Sequence, residues 1–110
     1  VPQVIEHNGR SMLLFCCNTP RLSGPVSGKV GGVWIAPAQS VCGPYDIGRS
    51  RLIATQALYA GRLVRDREGR WNLLAFHMDR PDGQFEGGVS DPLPLVWNDV
   101  TGLPVLETPR

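Results

Sequence analysis

Val4-Ile5-Glu6-His7-Asn8-Gly9-Arg10-Ser11-Met12-Leu13-Leu14 and Val64-Arg65-Asp66-Arg67-Glu68-Gly69-Arg70-Trp71-Asn72-Leu73-Leu74 are two versions of one pattern, 60 positions apart. Val, an acid, Gly-Arg and Leu-Leu recur in both without a gap. Each reads as strand, turn, strand. An Asn-Gly or Glu-Gly pair between apolar runs supplies the positive φ angles that a tight hairpin turn needs. A repeat of this length points to propellers or arrays, in which one supersecondary unit is copied and stacked.

Working outward, a second match comes after each hairpin. Gly31-Gly32-Val33 precedes Ala36-Pro37, and Gly87-Gly88-Val89 precedes Asp91-Pro92. The spacing predicts a third strand in each unit, over about 30–37 and 84–90. A fourth is expected near 45–53 and 94–97. Tyr59-Ala60-Gly61-Arg62-Leu63-Val64 reads as the inner strand of the second unit. Residues 50–60 read as an outer strand and a crossing between units. The stretch 98–110 reads as a strand followed by a tail. No segment carries an i, i+3, i+4, i+7 apolar stripe over three turns, so helices are not expected. The fold class is therefore all-β: two four-stranded antiparallel blade-like units, about 1–55 and 56–110, in a single propeller fragment.

Composition fits this reading. The chain has 110 residues, 42% of them hydrophobic, with 13 Gly and 10 Pro. That suits one domain with many turns. Eleven basic and ten acidic residues leave a formal net charge of +1, which gives no electrostatic footprint for nucleic acid or an anionic membrane. No apolar run approaches the roughly 20 residues that span a bilayer. Three cysteines, Cys16, Cys17 and Cys42, are an odd number and form no C-x-x-C pair. They read as reduced, and adjacent Cys16 and Cys17 should point to opposite sheet faces. Reduced cysteines and the lack of a signal segment suit a cytoplasmic protein. His7 and His77 lie far from any cysteine pair, so neither a metal site nor a cofactor is expected. No phosphate-binding glycine loop and no nucleophilic triad spacing is present.

Two blades cannot close a ring. Val64, Leu73, Leu74, Trp34 and Trp71 need neighbours, supplied by the missing blades of a longer chain or by homo-oligomer partners. Trp34 and Trp71 read as core between blades.

The run Tyr59-Ala60-Gly61-Arg62-Leu63-Val64-Arg65-Asp66-Arg67-Glu68-Gly69-Arg70-Trp71-Asn72-Leu73-Leu74-Ala75-Phe76 resembles a blade of glycoside hydrolase family 32, the invertases, levanases and related β-fructosidases. Gly87-Gly88-Val89-Ser90-Asp91-Pro92 is similar to the segment that closes this blade. Val1-Pro2-Gln3-Val4 resembles the end of the family's Glu-Cys-Pro motif and the residues after it, with Val1 at the Cys and Pro2 at the Pro. The resemblance covers Val1 to about Trp97. Families 43, 68 and 62 share the five-bladed propeller and have similar blades. The resemblance implies that this chain is the later blades of a glycosidase acting on fructosyl or related bonds by double displacement. It also implies that the general acid and the nucleophile lie upstream of Val1. Arg65-Asp66 is followed by Arg67 rather than Pro, so the family's Arg-Asp-Pro motif does not carry over.

The chain's own carboxylates read as structural. A retaining glycosidase needs two carboxyl groups about 5–5.5 Å apart, one with a raised pKa. Glu6, Asp66 and Glu68 sit at hairpins. Asp79 and Asp82 flank Pro81 in a turn, and Asp91-Pro92 caps a bend. No catalytic residue is assigned. The resemblance places Tyr59 and Phe76 at the inner-strand end facing a central pocket, where aromatic faces stack on sugar C–H groups. Arg62, alternating with Leu63, would face the same pocket. His7 reads as solvated in its turn, and His77 as structural at a strand end. The partner expected is a fructoside-type carbohydrate. The alternative is a non-catalytic propeller or carbohydrate-binding or assembly module, because fold alone does not establish function.

Overall fold

A computed structural model describes residues 2–55, 57–78 and 82–108. Among them, eight strands form two four-stranded antiparallel sheets, each with its strands in chain order. Sheet 1 holds β1 (Gln3–His7), β2 (Arg10–Cys17), β3 (Gly32–Ala38) and β4 (Arg51–Thr55). Sheet 2 holds β5 (Leu58–Arg65), β6 (Trp71–His77), β7 (Leu93–Trp97) and β8 (Pro104–Leu106). Each sheet is a meander, the form of a propeller blade.

The hairpins form for local reasons. Asn8 and Gly9, at φ 51° and 74°, make the two-residue turn that joins β1 to β2. In the second unit Asp66 builds a longer turn. Its Oδ1 accepts from the backbone N–H groups of Glu68 (3.0 Å) and Arg70 (2.9 Å), and Gly69 takes φ 79°. The pairing register shows that the repeat carries a one-residue slip. Glu6 pairs with Ser11 around residues 7–10, whereas Arg65 pairs with Trp71 around 66–70. Leu13 and Leu73 therefore correspond, but Val4 corresponds to Leu63 and Ile5 to Val64. The gapless alignment expected from sequence holds for β2 and β6 and fails for β1 and β5.

The third and fourth strands differ more from expectation. In unit 1, Gly31 and Gly32 lead straight into β3. In unit 2, Gly87 and Gly88 both sit at positive φ, 84° and 85°, which interrupts a regular strand. Residues 86–90 still run along the end of β6, through His77 N–H to Gly88 O (2.8 Å) and Ser90 N–H to Ala75 O (2.7 Å), with a single bridge at Val89. The regular third strand is β7, so 94–97 belongs to the third position and β8 is the fourth. In unit 1 the fourth strand starts late, at Arg51, because a 3-10 turn at Ile47–Arg49 comes after the bridge of Tyr45 to Ala38. The turn expected at Asp79-Arg80-Pro81-Asp82-Gly83 lies partly outside the described residues, as do the expected roles of Val1 and of Gln56 in the crossing.

The main core lies between the sheets. Ile5, Met12, Leu14, Val33, Ile35 and Ile53 of sheet 1 pack against Leu58, Leu63, Leu73 and Ala75 of sheet 2. A fully buried side chain of this size contributes about 1.5–3 kcal/mol relative to exposure. A side-chain clamp reinforces the join: Gln3 Nε2 donates to Leu63 O (2.9 Å), and Leu63 N–H donates to Gln3 Oε1 (2.8 Å). Gln3 thus satisfies an edge-strand residue as a neighbouring strand would.

Trp34 is not part of this core. It packs on the other face of sheet 1 with Leu22, Val26, Phe15, Cys17, Ile47 and Leu52, beneath the 3-10 turns at Thr19–Arg21 and Gly24–Val26. Period-two alternation along β3 puts Trp34 opposite to Val33 and Ile35. Trp71 does lean on the main core. Cys16 and Cys17 divide as alternation requires, one against each cluster.

Candidate functional site

Tyr59 and Phe76 are directly paired across β5 and β6. Between Tyr59 and Arg62 the register shifts by one residue, and Ala60 adopts φ 52°. This is a β-bulge. Three positions apart on a regular strand, Tyr59 and Arg62 would point to opposite faces. The extra residue returns them to one face, with Phe76 and with Leu74, the partner of Arg62. The structure therefore brings the three expected residues to one end and one face of sheet 2. Arg62 is exposed, and its Nη1 donates at 3.4 Å to the carbonyl of Pro2, the residue just before β1.

Tyr59 is half-buried, and burial raises its hydroxyl above the ordinary tyrosine range, with the Cys16 and Cys17 thiols adding to the effect. A neutral phenol can donate one hydrogen bond and accept others while its ring offers an apolar face. Phe76 carries a further aromatic that sequence reasoning did not single out. Phe85 stacks on it with centroids 5.8 Å apart and planes at 27°, and remains 64% exposed. Beside this pair, His77 Nδ1 and Glu86 Oε2 lie 3.4 Å apart. The signal for Phe85 was present: an aromatic two residues before a Gly-Gly corner sits on a loop rather than a strand.

The carboxylates behave as structural groups. Among the described residues every Asp and Glu is exposed except Asp66, which is half-buried. Asp66 is held below the ordinary carboxylate range, first by the Arg70 backbone N–H and then by Asn72 and the Arg70 guanidinium. A general acid needs the opposite shift. Among the described residues no group of three or more His, Cys, Asp and Glu gathers as a metal ligand set, and no helix is long and apolar enough to cross a membrane.

His7 is not a solvated turn residue. Its ring stacks on Trp97 at 3.6 Å with planes 8° apart, and Trp97 meets the edge of Trp71 at 6.3 Å. Burial, and then the nearby Arg65 charge, lower its pKa below 6.5. Just below pH 6.5 the folded chain therefore binds this proton less readily than the unfolded chain does. This contribution to stability is complete above pH 6.5 and declines as pH falls below it. Thermal melts should show a midpoint that drops on acidification, and His7→Gln should flatten that drop. An unchanged slope in the variant would remove His7 as its cause.

These features define a class: two consecutive propeller blades with an aromatic end on the second. Over 97% of its length the chain is similar to a solved structure, a bifunctional GH43-CE from Bacteroides eggerthii, at 27% identity and a TM-score of 0.64. The likeness supports a propeller fold shared with a GH43-containing protein and does not single out family 32. The chain spans 12% of the neighbour's length. No protein-family model and no curated protein matches it.

Proposed function

We propose that this chain forms two consecutive blades, about 1–55 and 56–110, of a larger glycosidase propeller. It supplies walls of the sugar pocket, and the catalytic carboxylates come from outside these residues. The observation that carries this reading is the complementarity of the two open faces. Ile5, Met12 and Leu14 of sheet 1 are buried against sheet 2, and their counterparts Val64, Asn72 and Leu74 lie on the far face of sheet 2. Conversely, Leu63 and Leu73 are buried against sheet 1, and their counterparts Val4 and Leu13 lie on its far face. Such a head-to-tail contact continues until a ring closes.

In that ring β5 is the innermost strand of its blade, and Tyr59, Phe76 and Arg62 lie where the face that meets the next blade opens onto the central pocket. Tyr59 and Phe76 offer aromatic surface to a sugar, and Arg62 offers donors to its hydroxyls. The resemblance to family 32 makes a fructoside the substrate to try first. In the full-length parent, Tyr59→Ala should lower kcat/KM about tenfold, the loss of one buried polar-aromatic contact. Tyr59→Phe should fall between the two. Unchanged kcat/KM in Tyr59→Ala would overturn the pocket assignment and favour a scaffold or binding module. A parent that cleaves other glycosides but no fructoside would overturn the fructosyl reading alone.

A further inference from the structure

A second site lies at the other end of the strands. Tyr59 and Arg65 pair with Phe76 and Trp71, five positions apart on β6, which is about 17 Å along the strands. There the Asn8-Gly9 turn of sheet 1 and the Gly69-Arg70 turn of sheet 2 border a cleft of about 410 Å³. That volume lies within the range of small-ligand sites, about 300–1,000 Å³.

The lining has a specific chemistry. The cleft is walled by the His7–Trp97 stack and by Trp71, whose ring carries the Arg65 guanidinium at 4.9 Å from its centroid. Among the described residues, Arg65 makes no hydrogen bond with its five N–H groups, and the Asn8 side-chain amide makes none. Glu6 accepts a long 3.4 Å contact from Ser11 at Oε1 and keeps Oε2 open. Donor, mixed and acceptor groups therefore border one cleft with capacity unused. Their charges oppose. An anion entering would meet Glu6, and a cation would meet Arg65 and Arg70. Arg70 is itself tied to Asp66 (3.1 Å) and Glu68 (3.5 Å). Such a lining suits a neutral molecule whose polar groups both donate and accept and whose C–H surface can lie against ring edges.

We infer that this cleft between the hairpin turns binds a neutral oligosaccharide, at a site separate from the aromatic end that carries Tyr59. The ligand class is set by the cleft. The idea that the ligand is a remote stretch of a polymeric substrate rests on the glycosidase reading, and the test separates the two.

The intact protein is run through native gels cast with levan, inulin, arabinan or xylan, beside Asn8→Gly and Arg65→Ala variants. Asn8→Gly keeps the positive φ that the turn requires and removes only the amide. Arg65 is exposed, and its removal leaves the core in place. The expected result is retardation by at least one polysaccharide, weakened about tenfold in either variant through loss of its hydrogen bonds to the sugar. Tyr59→Ala should be retarded like the parent, and hydrolysis of a short fructoside should be unchanged by the two cleft substitutions. No retardation in any gel, or retardation that both cleft variants retain, overturns the site. Retardation by the cleft in a protein that hydrolyses no glycoside, polymeric or short, leaves the site standing and sinks the glycosidase reading.

Discussion

Replacing Gly32 with alanine should remove a large part of the chain's stability. Gly32 opens β3, paired with Cys17 on one side and Thr55 on the other. Its φ is +145°, a conformation that side chains avoid, and a Cβ there would fall on the Ala54 carbonyl oxygen and within 2.7 Å of the Thr55 carbonyl carbon. These are backbone atoms of β4 and cannot rotate away. Backbone strain of about 1–3 kcal/mol adds to an overpacking cost of similar size. A domain of this length has about 5–15 kcal/mol in total. Gly28→Ala is the matched control: φ is +80° there, and nothing lies within 4 Å of the added atom. Urea unfolding should show a cost of about 3 kcal/mol or more for Gly32→Ala and about 1 kcal/mol for Gly28→Ala. Equal costs would mean that β4 yields, and that the close approach has no energetic consequence.

Gly32 also shows how far the fold was legible in the sequence. The pair Gly31-Gly32 marked the start of a strand, and the same pair at Gly87-Gly88 suggested another. Both marks are real punctuation, but they punctuate differently. At Gly32 the missing Cβ admits a neighbouring strand. At Gly87 and Gly88 the positive φ angles bend the chain, and the regular strand starts only at Leu93. Composition cannot separate these uses of glycine, because the difference lies in what stands next to the residue in space. The hairpins were legible because Asn8-Gly9 and Asp66 through Gly69 act within a few residues of chain. The slip between them was not, since one extra loop residue leaves the aligned letters almost unchanged and alters only the pairing.

The candidate site was legible to a similar depth. Tyr59 and Phe76 came forward through the family resemblance, and the structure pairs them. That Arg62 shares their face depends on a bulge at Ala60-Gly61, which no strict alternation of residues predicts. His7 and Trp97 were each read in isolation, as turn and strand residues. They meet because β1 and β7 belong to adjacent blades, a contact across most of the chain. Trp34 was misplaced for the complementary reason. Its apolarity called for burial, but the parity of β3 and the covering segment at 19–26 decided which side.

The bulge leads to the second large effect, at the contact between blades. Leu73 is fully buried, and Gly61 lies against it: a Cβ on Gly61 would sit 2.8 Å from Leu73 Cδ1 and 3.0 Å from both Val33 methyl carbons. Leu73→Ala removes core atoms and leaves a cavity, at a cost of about 2–5 kcal/mol. Gly61→Ala overpacks the same spot, at about 1–3 kcal/mol. The two changes are complementary in volume and in direct contact, so they should not add. With Leu73 shortened, the nearest obstacle to the new Cβ is gone, and only Val33 must give. The double variant should be more stable than the sum of the single costs predicts by about 0.5–3 kcal/mol, measured by urea unfolding of all four proteins. Strict additivity would mean that Leu73 rotates out of the way unaided. The blades would then meet across a loose seam, and the argument that Gly61 sets their spacing would fail. A positive coupling would show that β5 can bulge where it does only because position 61 has no side chain, and that the same absence lets the blades pack while Tyr59 and Arg62 turn to one face.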